Sequence, residues 1–561
     1  MPLDDQKPTF GYTRSRDHGR EHPAHHPVVI VGAGPVGLTC ALDLAKQGVR
    51  VVVLDDDDTL STGSRAICFA KRTLEIWDRL GCGERMVEKG VSWNVGKVFF
   101  QDELVYRFNL LDEPGHRRPA FINLQQYYVE GYLYEAASNE PNIDLRWKSK
   151  VVAFEQSDQR ATLTVETPDG TYALTCDYAI ACDGARSPMR GMLGLKSAGH
   201  TFRDRFLIAD VKIEAAASAR FAAERWFWFD PPFHRGQSVL LHMQPDGVWR
   251  IDFQLGWDAD PVAEREPSRV AERVKALLGD DAEFEFEWMS VYTFACVRMD
   301  RFRHGRVLFA GDAAHCVSPF GARGANSGVQ DADNLAWKMR LVLAGKAPDR
   351  LLDTYDEERG YAADENILNS TRSTDFLTPK TDISRTFRDA VLKLAREHPF
   401  ARTLVNSGRL SVPATLVTST LNTADGDGFE GPMMPGAACL DAPIAIDGKP
   451  AWLLDQLCEQ FTLVYFAGNE DLAKEFDEIR GSIVPIRIVV VTSGANMGHG
   501  IERGIEGAIV AHDVEGLVTR RFDAKPGTMF LVRPDQHICA RWRKVDAASV
   551  HAALARATCN D

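Results

Sequence analysis

Short apolar runs bounded by Gly, Asp or Pro alternate with stretches of helical periodicity along the first part of the chain. Val28-Val29-Ile30-Val31 is an uninterrupted apolar run and predicts a buried strand. Leu38, Ala41, Leu42 and Ala45 then recur at helical spacing, and Val49 to Leu54 predicts a second strand. Leu74, Ile76, Trp77 and Leu80 mark a helix from about Lys71, and another begins near Gln125. Ile143 to Phe154, Ala161 to Val165 and Tyr178 to Cys182 are strand-like. From about Lys196 to Val297 the pattern turns strand-rich. RWFWFD (225–230), SVLLHM (238–243), VWRIDFQL (248–255) and Phe284 to Tyr292 predict a separate antiparallel sheet. The run Val307-Leu308-Phe309-Ala310 leads through Gly311-Asp312 and a glycine-containing loop into a helix near Asn326. Residues 331–408 are mostly helical.

DGDGFEGPMMPGAA then breaks the periodicity and predicts a linker over 409–431. Beyond it lies a further α/β portion. Phe461 to Phe466 and Ile486 to Val491 predict strands, and Glu470 to Ile479 a helix. Gly527 to Arg533 and His537 to Trp542 predict a hairpin around Pro534-Asp535, and a helix from Ala547 closes the chain.

A chain of 561 residues, 45% hydrophobic and 26% charged, has the make-up of a globular protein of two to four domains. Its net charge of −14, with no Lys/Arg block, argues against nucleic acid as a partner. The 11 cysteines contain no CxxC pair, which disfavours a disulfide framework or a zinc site and suggests a reducing cytoplasm. No metal site is expected. Residues 1–26 are polar, with His18, His22, His25 and His26, and predict a disordered leader. Pro27 to Ala45 approaches membrane-spanning length, but its glycines, Pro35 and Asp43 oppose that reading, so no membrane partner is expected.

The candidate chemistry begins at Gly32-Ala33-Gly34-Pro35-Val36-Gly37 between the first strand and helix. With the second strand ending at Asp55, this is a complete βαβ dinucleotide fingerprint. Gly32 permits the tight turn, Gly34 the approach of a pyrophosphate and Gly37 close helix–strand packing, while Asp55 accepts from an adenosine ribose. Asp56, Asp57 and Asp58 read as a solvated acidic loop. Arg65 precedes the next helix in a loop, where a cation serves ligand phosphates or a surface ion pair. Asp312 and the helix start beyond it suit an extended polyol diphosphate, because unpaired helix N–H groups favour an anion.

Three segments occur in order: GAGPVG, CDGARSPMR and GDAAHCVSPFGARGANSGVQDADNLAWK. Together they resemble the single-component FAD-dependent aromatic hydroxylases, the class A flavin monooxygenases typified by p-hydroxybenzoate hydroxylase and phenol hydroxylase. The resemblance covers roughly residues 26–375, and the C-terminal part resembles the thioredoxin-like domain of the phenol hydroxylase branch. It implies an α/β architecture: a Rossmann-like FAD-binding domain (27–195 and 298–408), an inserted antiparallel β-sheet substrate domain (196–297) and a thioredoxin-like domain (432–561). It also implies that Gly32, Gly34, Gly37 and Asp55 hold the ADP part of FAD, Arg65 and Gln126 contact the flavin cofactor, and Asp312 takes the ribityl and pyrophosphate region. The loop from Pro319 to Ser327 would border the flavin ring, with Gly324, Ala325 and Asn326 at the helix start. Asp183, which otherwise has the plain reading of an Asp-Gly turn, would serve FAD and a transient NADH or NADPH, with Arg186 toward the latter's phosphates.

The implied reaction is hydroxylation of a phenolic aromatic compound through a flavin C4a-hydroperoxide, using NAD(P)H and dioxygen. A polycyclic, polyketide or antibiotic-type substrate is the alternative, and a flavin-containing binding protein without turnover a further one. No nucleophile–His–carboxylate set is identifiable, and the catalytic residue is left open among His242, Arg250, Asp252 and Tyr292. Trp226 and Trp228 are also wall candidates, although their alternation is the usual look of one sheet face. His315 is expected behind the site. Phenol hydroxylases carry an acidic residue near the place of Ile67, so its role would pass to Asp252 or His242 or be unnecessary. Many relatives have Gly-Gly where this chain reads Gly321-Ala322. The resemblance suggests a homodimer contacting through the C-terminal part.

Overall fold

The computed structural model describes residues 8–63, 65–214, 220–405, 410–468, 473–493, 507–544 and 546–561. Its first body is built on β1 (Ala24–Val31), α1 (Pro35–Lys46), β2 (Val51–Leu54), β3 (Gly170–Ala181), β4 (Val307–Phe309) and α2 (Gly324–Leu343). β4, β3, β1 and β2 lie side by side in parallel, with Ile143–Arg146 beyond β2. β1 is buried along Val28–Ile30 because it is central and covered on both faces, which explains its unbroken apolar run. The strand expected from Tyr178 begins at Gly170, since its first half pairs antiparallel with Ala161–Thr167.

Residues 8–26, expected as a disordered leader, are ordered. Phe10 is buried, its ring 4.2 Å from those of both Tyr134 and Trp147. Asp17 accepts hydrogen bonds from Arg146 and His26. A few anchoring side chains thus outweigh the polar composition of this segment.

The second body is a seven-stranded sheet in the order Phe284–Tyr292, Arg205–Ile213, Val248–Leu255, Ser238–Met243, Arg225–Phe229, Val95–Phe100 and Glu103–Asn109. Its last two strands come from sequence expected in the first part of the cofactor domain, so the sheet is not confined to 196–297. Arg225–Phe229 joins them through parallel pairing, Trp226 opposite Lys97 and Trp228 opposite Phe99. The two faces differ. One packs Trp228, Val239, Leu241, Trp249, Ile251 and Phe253 on the helix Pro267–Leu278. The other turns Phe206, Phe227 and Leu240 toward Phe320 and the first body.

The C-terminal portion forms its own seven-stranded mixed sheet around Phe461–Phe466, which pairs parallel with Ile486–Ser493 and antiparallel with Met529–Val532. Its thioredoxin-like sheet carries the helices Ala473–Arg480 and Ala547–Ala557. A buried ionic network ties it to the first body. Glu358 meets Lys338 at 2.6 Å and Arg533 at 2.5 Å, Arg533 meets Asp535 at 2.5 Å, and Arg72 reaches Asp333, Gln536 and the Asp535 carbonyl.

Candidate functional site

The glycine turn between β1 and α1 is tight for one reason and open for another. A Cβ on Gly37 would lie 1.9 Å from the Gly32 carbonyl oxygen, so Gly37 is there for packing. Gly34 differs: nothing lies within 4 Å of where its Cβ would be, and its φ of −72° suits any residue. Open space therefore lies over Gly34, at the start of a helix without a side-chain cap. Such a start leaves N–H groups for an anion. Asp55 closes β2 and accepts from the Ala33 amide at 2.5 Å and the Asp57 amide at 2.9 Å. Burial raises its carboxyl above the ordinary range, and those two amides pull it back.

Asp183 lies beside the same turn. Its Oδ2 accepts from the Met189 amide at 2.9 Å, whereas Oδ1 is buried without a partner. Arg186 is exposed beyond it.

Asp312 is exposed, yet the protein crowded around it raises its carboxyl; the charges of His315 and Arg65 oppose that rise. The turn carrying Asp312 is held from behind. Asp331 accepts from the Gly311 amide at 2.9 Å, His315 Nε2 at 2.7 Å and Arg359 Nε at 2.7 Å. His315 thus helps to hold the turn through Asp331. Gly328 makes the junction: a Cβ there would sit 2.6 Å from Val36 Cγ2 and 3.1 Å from Gly311 Cα, so its absence brings α2, α1 and the Asp312 turn together.

At the start of α2 no side chain caps the helix. The Ser327 amide bonds the Arg323 carbonyl at 2.7 Å, leaving the amides of Gly324, Ala325 and Asn326 ahead of it. The Asn326 side chain is fully engaged elsewhere. Its Oδ1 accepts from the Ala70 amide and Thr73 hydroxyl, and its Nδ2 donates to the Cys68 and Ala322 carbonyls. The expectation that Asn326 serves a cofactor therefore narrows to its backbone. Pro319 is exposed at the loop's front. Ala322 has φ of +52°, where a Cβ is disfavoured, so the departure from Gly-Gly leaves the turn with a conformation that glycine would take more readily.

Arg65 is exposed, and its carbonyl accepts from Arg250. Gln126 accepts from the Ala66 amide at 3.2 Å and donates to Glu130 at 2.7 Å. Between these residues and the inserted sheet lies a cavity of about 400 Å³, lined by Arg65, Ile67, Gln126, Tyr128, Gln244 and Arg250 among others.

The inward face of the sheet is polar where it flanks this region. Arg250 grips Asp210 with Nε at 2.8 Å and a terminal nitrogen at 3.0 Å. His242 Nε2 donates to Asp252 at 2.9 Å, and burial together with the nearby Asp252 charge pushes the Tyr292 phenol up. Burial lowers the His242 pKa to about 4, the Arg225 charge adding to the effect and Asp252 opposing it. The imidazole is thus neutral with its proton on Nε2, and its buried Nδ1 is a lone pair without a partner. Strand register therefore gathers His242, Arg250, Asp252 and Tyr292 on one side of the sheet. Trp226 and Trp228 point the other way: they pack with the opposite face's cluster, so they are not wall residues.

Arg225, Asp210 and Cys68 join the inward group without having been singled out by sequence. For Arg225 the signal was present: it shares the parity of Phe227 and Phe229, putting a charge in register with an inward aromatic face.

The chain resembles known proteins over most of its length. The family model described as FAD binding domain matches residues 25–370. A 3-(3-hydroxy-phenyl)propionate/3-hydroxycinnamic acid hydroxylase from Shigella sonnei is 27% identical over 538 residues, 93% of this chain and 94% of that protein. A flavin-dependent monooxygenase from Mycobacteroides abscessus is 32% identical over 349 residues, 59% of this chain and 70% of that one. The crystal structure of the flavin-dependent monooxygenase PieE in complex with FAD and substrate matches at 22% identity with a TM-score of 0.81, over 96% of this chain and all of that one.

Proposed function

The chain belongs to the FAD-binding domain family, and on that premise we propose that it is an FAD-dependent aromatic hydroxylase using NAD(P)H and dioxygen on a phenolic substrate. The relatives named for hydroxylation of hydroxyphenyl compounds support this reading. The observation that carries it furthest is the meeting of an anion-favouring cradle with a dry, polar sheet face bearing a free imidazole acceptor.

The residues fit FAD. The open space over Gly34 and the uncapped starts of α1 and α2 suit a diphosphate, and the unpartnered Asp183 Oδ1 suits a donating hydroxyl of the same ligand. Gly32, Gly34, Gly37 and Asp55 would hold its ADP part, Arg65, Gln126 and Asp312 its middle, and Pro319 with the amides of Gly324, Ala325 and Asn326 its ring. When bound, FAD supplies the redox chemistry that divides dioxygen between product and water.

The protein's part is positioning and proton handling. His242 Nδ1 would accept the substrate's phenolic O–H, which raises electron density on the ring to be attacked. Asp252 fixes the imidazole's tautomer and orientation. Arg250, neutralised by Asp210, orients the Arg65 loop through that residue's carbonyl.

The chain would work in the cytoplasm; no helix among the described residues is long and apolar enough to cross a membrane. A homodimer through the C-terminal part remains part of this reading, and sedimentation as a monomer at micromolar concentration would remove it. The test of activity is NAD(P)H oxidation by the FAD-loaded protein in the presence of phenols and phenolic acids. Acceleration with hydroxylated product is expected. Acceleration by polycyclic aromatics alone would transfer the proposal to that substrate class, and none at all would leave a flavin-binding protein.

A further inference from the structure

A surface helix of a globular protein buries one face and leaves the other polar. The helix α3 (Asp382–Glu397) departs from that rule. Its inner face, with Val391, Leu392 and Ala395, is buried in the cluster that holds Phe227 and Leu240 of the inserted sheet. Its outer face is apolar as well. Ile383, Phe387, Ala390 and Leu394 are all exposed, Ile383 by 84% and Phe387 by 59%. Their alternating spacing of four and three residues sets them in one row along the helix, the pattern of a coiled-coil seam. Phe400, 64% exposed, and Leu404 follow where the chain leaves the helix. Taking about 150–250 Å² for an aromatic side chain, the five large residues present on the order of 500 Å² of apolar surface, more than a monomer ordinarily leaves bare. With a polar rim, that is the apolar share of a contact of about 800 Å² per partner, the size of a stable protein interface.

The row is complementary to itself. Ile383 and Leu394 stand equally far from its centre, and so do Phe387 and Ala390. A second copy laid antiparallel across it therefore sets Ile383 of one chain on Leu394 of the other, and the large Phe387 on the small Ala390, twice over. This is the requirement of a two-fold contact, in which the same patch meets itself. Charge selects the same direction. Asp382 lies in the first turn and Arg396 in the last, so antiparallel copies bring opposite charges and opposite helix ends together, whereas parallel copies would set like beside like. The helix carries four cations (Arg385, Arg388, Lys393 and Arg396) against three anions (Asp382, Asp389 and Glu397). That near balance does not suit an anionic lipid surface, which calls for a strongly basic flank.

We propose that the outer face of α3 is an interface between two copies of this chain, packed antiparallel about a two-fold axis through the row Ile383, Phe387, Ala390 and Leu394. This contact lies outside the C-terminal part and does not depend on the hydroxylase reading. It is tested on the FAD-loaded full chain by sedimentation velocity at micromolar concentration, in wild type and Phe387→Glu. Oxidative cross-linking of Ile383→Cys, Leu394→Cys and the double variant supplies a second arm, with wild type as the control for the 11 native thiols.

Phe387→Glu is expected to halve the sedimenting mass while keeping FAD occupancy, because a charge at the centre of the row is desolvated only when two copies meet. Equal masses for wild type and Phe387→Glu overturn the proposal, whether both are monomers or both are held together elsewhere. The double variant should cross-link into a dimer, and neither single variant should, since a two-fold antiparallel pair keeps the two copies of position 383 roughly 16 Å apart along the axis. This arm stands even if Phe387→Glu does not fold. Failure of the double variant to cross-link beyond wild type overturns the contact, and cross-linking of Ile383→Cys alone overturns its antiparallel geometry.

Discussion

His242 illustrates how one side chain links the chemistry to stability. Burial holds its pKa near 4, against about 6.5 for an ordinary imidazole, so the folded protein resists protonation that the unfolded chain accepts. Between those values the unfolded state binds more protons. Stability is therefore full above about pH 6.5 and is lost as pH falls toward 4, by up to roughly 3 kcal/mol from this group. Denaturant melts of wild type and His242→Gln across pH 4 to 7 should show a shallower acid slope in the variant; identical slopes would mean that His242 is not held neutral. Gly34 gives a second single-residue test. Because no atom would meet its Cβ and its φ is ordinary, Gly34→Ala should keep the melting temperature within a few degrees yet lose most FAD affinity. Retention of full FAD affinity would take the diphosphate away from this turn.

At the scale of elements, the cradle depends on α1, α2 and the Asp312 turn meeting at Gly328. Gly328→Ala would press a methyl group against Val36 Cγ2 and Gly311 Cα, costing about 1–3 kcal/mol and FAD occupancy together. Thermal unfolding with and without added FAD checks this, and an unchanged profile would refute the close junction. Much of this arrangement was legible in sequence. The βαβ unit, the Asp312 turn and the helix after it carry local signals, namely apolar runs, glycines and a terminal carboxylate. The helix starts at Gly324, close to the expected Asn326, because helix ends are marked only weakly by residue type. What escaped was non-local. The strands Val95–Phe100 and Glu103–Asn109 join the distant inserted sheet by pairing with Arg225–Phe229, which no local pattern encodes. Which faces Trp226 and Arg225 take follows from that sheet's placement between two bodies, so strand alternation separated them without saying which turned inward.

Across the whole molecule, the C-terminal sheet is joined to the first body by charges that neither part could bury alone. Glu358 is held well below the usual carboxylate range, since Arg533 and Lys338 outweigh the penalty of its burial. Lys338 is lowered to about 8, burial prevailing over the attraction of Glu358. Removing Glu358 leaves Lys338 without a carboxylate and Arg533 with Asp535 alone, so Glu358→Gln should cost about 3–5 kcal/mol. The loss should appear in one cooperative transition reported equally by probes in both bodies; two separate transitions would show that the C-terminal part stands independently. In the proposed reading the glycine turn and the helix starts of the first body hold FAD, and the polar inward face of the sheet, with the His242 Nδ1 acceptor, receives the aromatic ring. The most direct measurement is mass analysis of the product formed by the FAD-loaded protein from NAD(P)H and a phenolic acid under ¹⁸O₂. One labelled oxygen atom in the recovered aromatic product is predicted. Unaltered substrate, or a hydroxyl group carrying oxygen from water, would contradict the account.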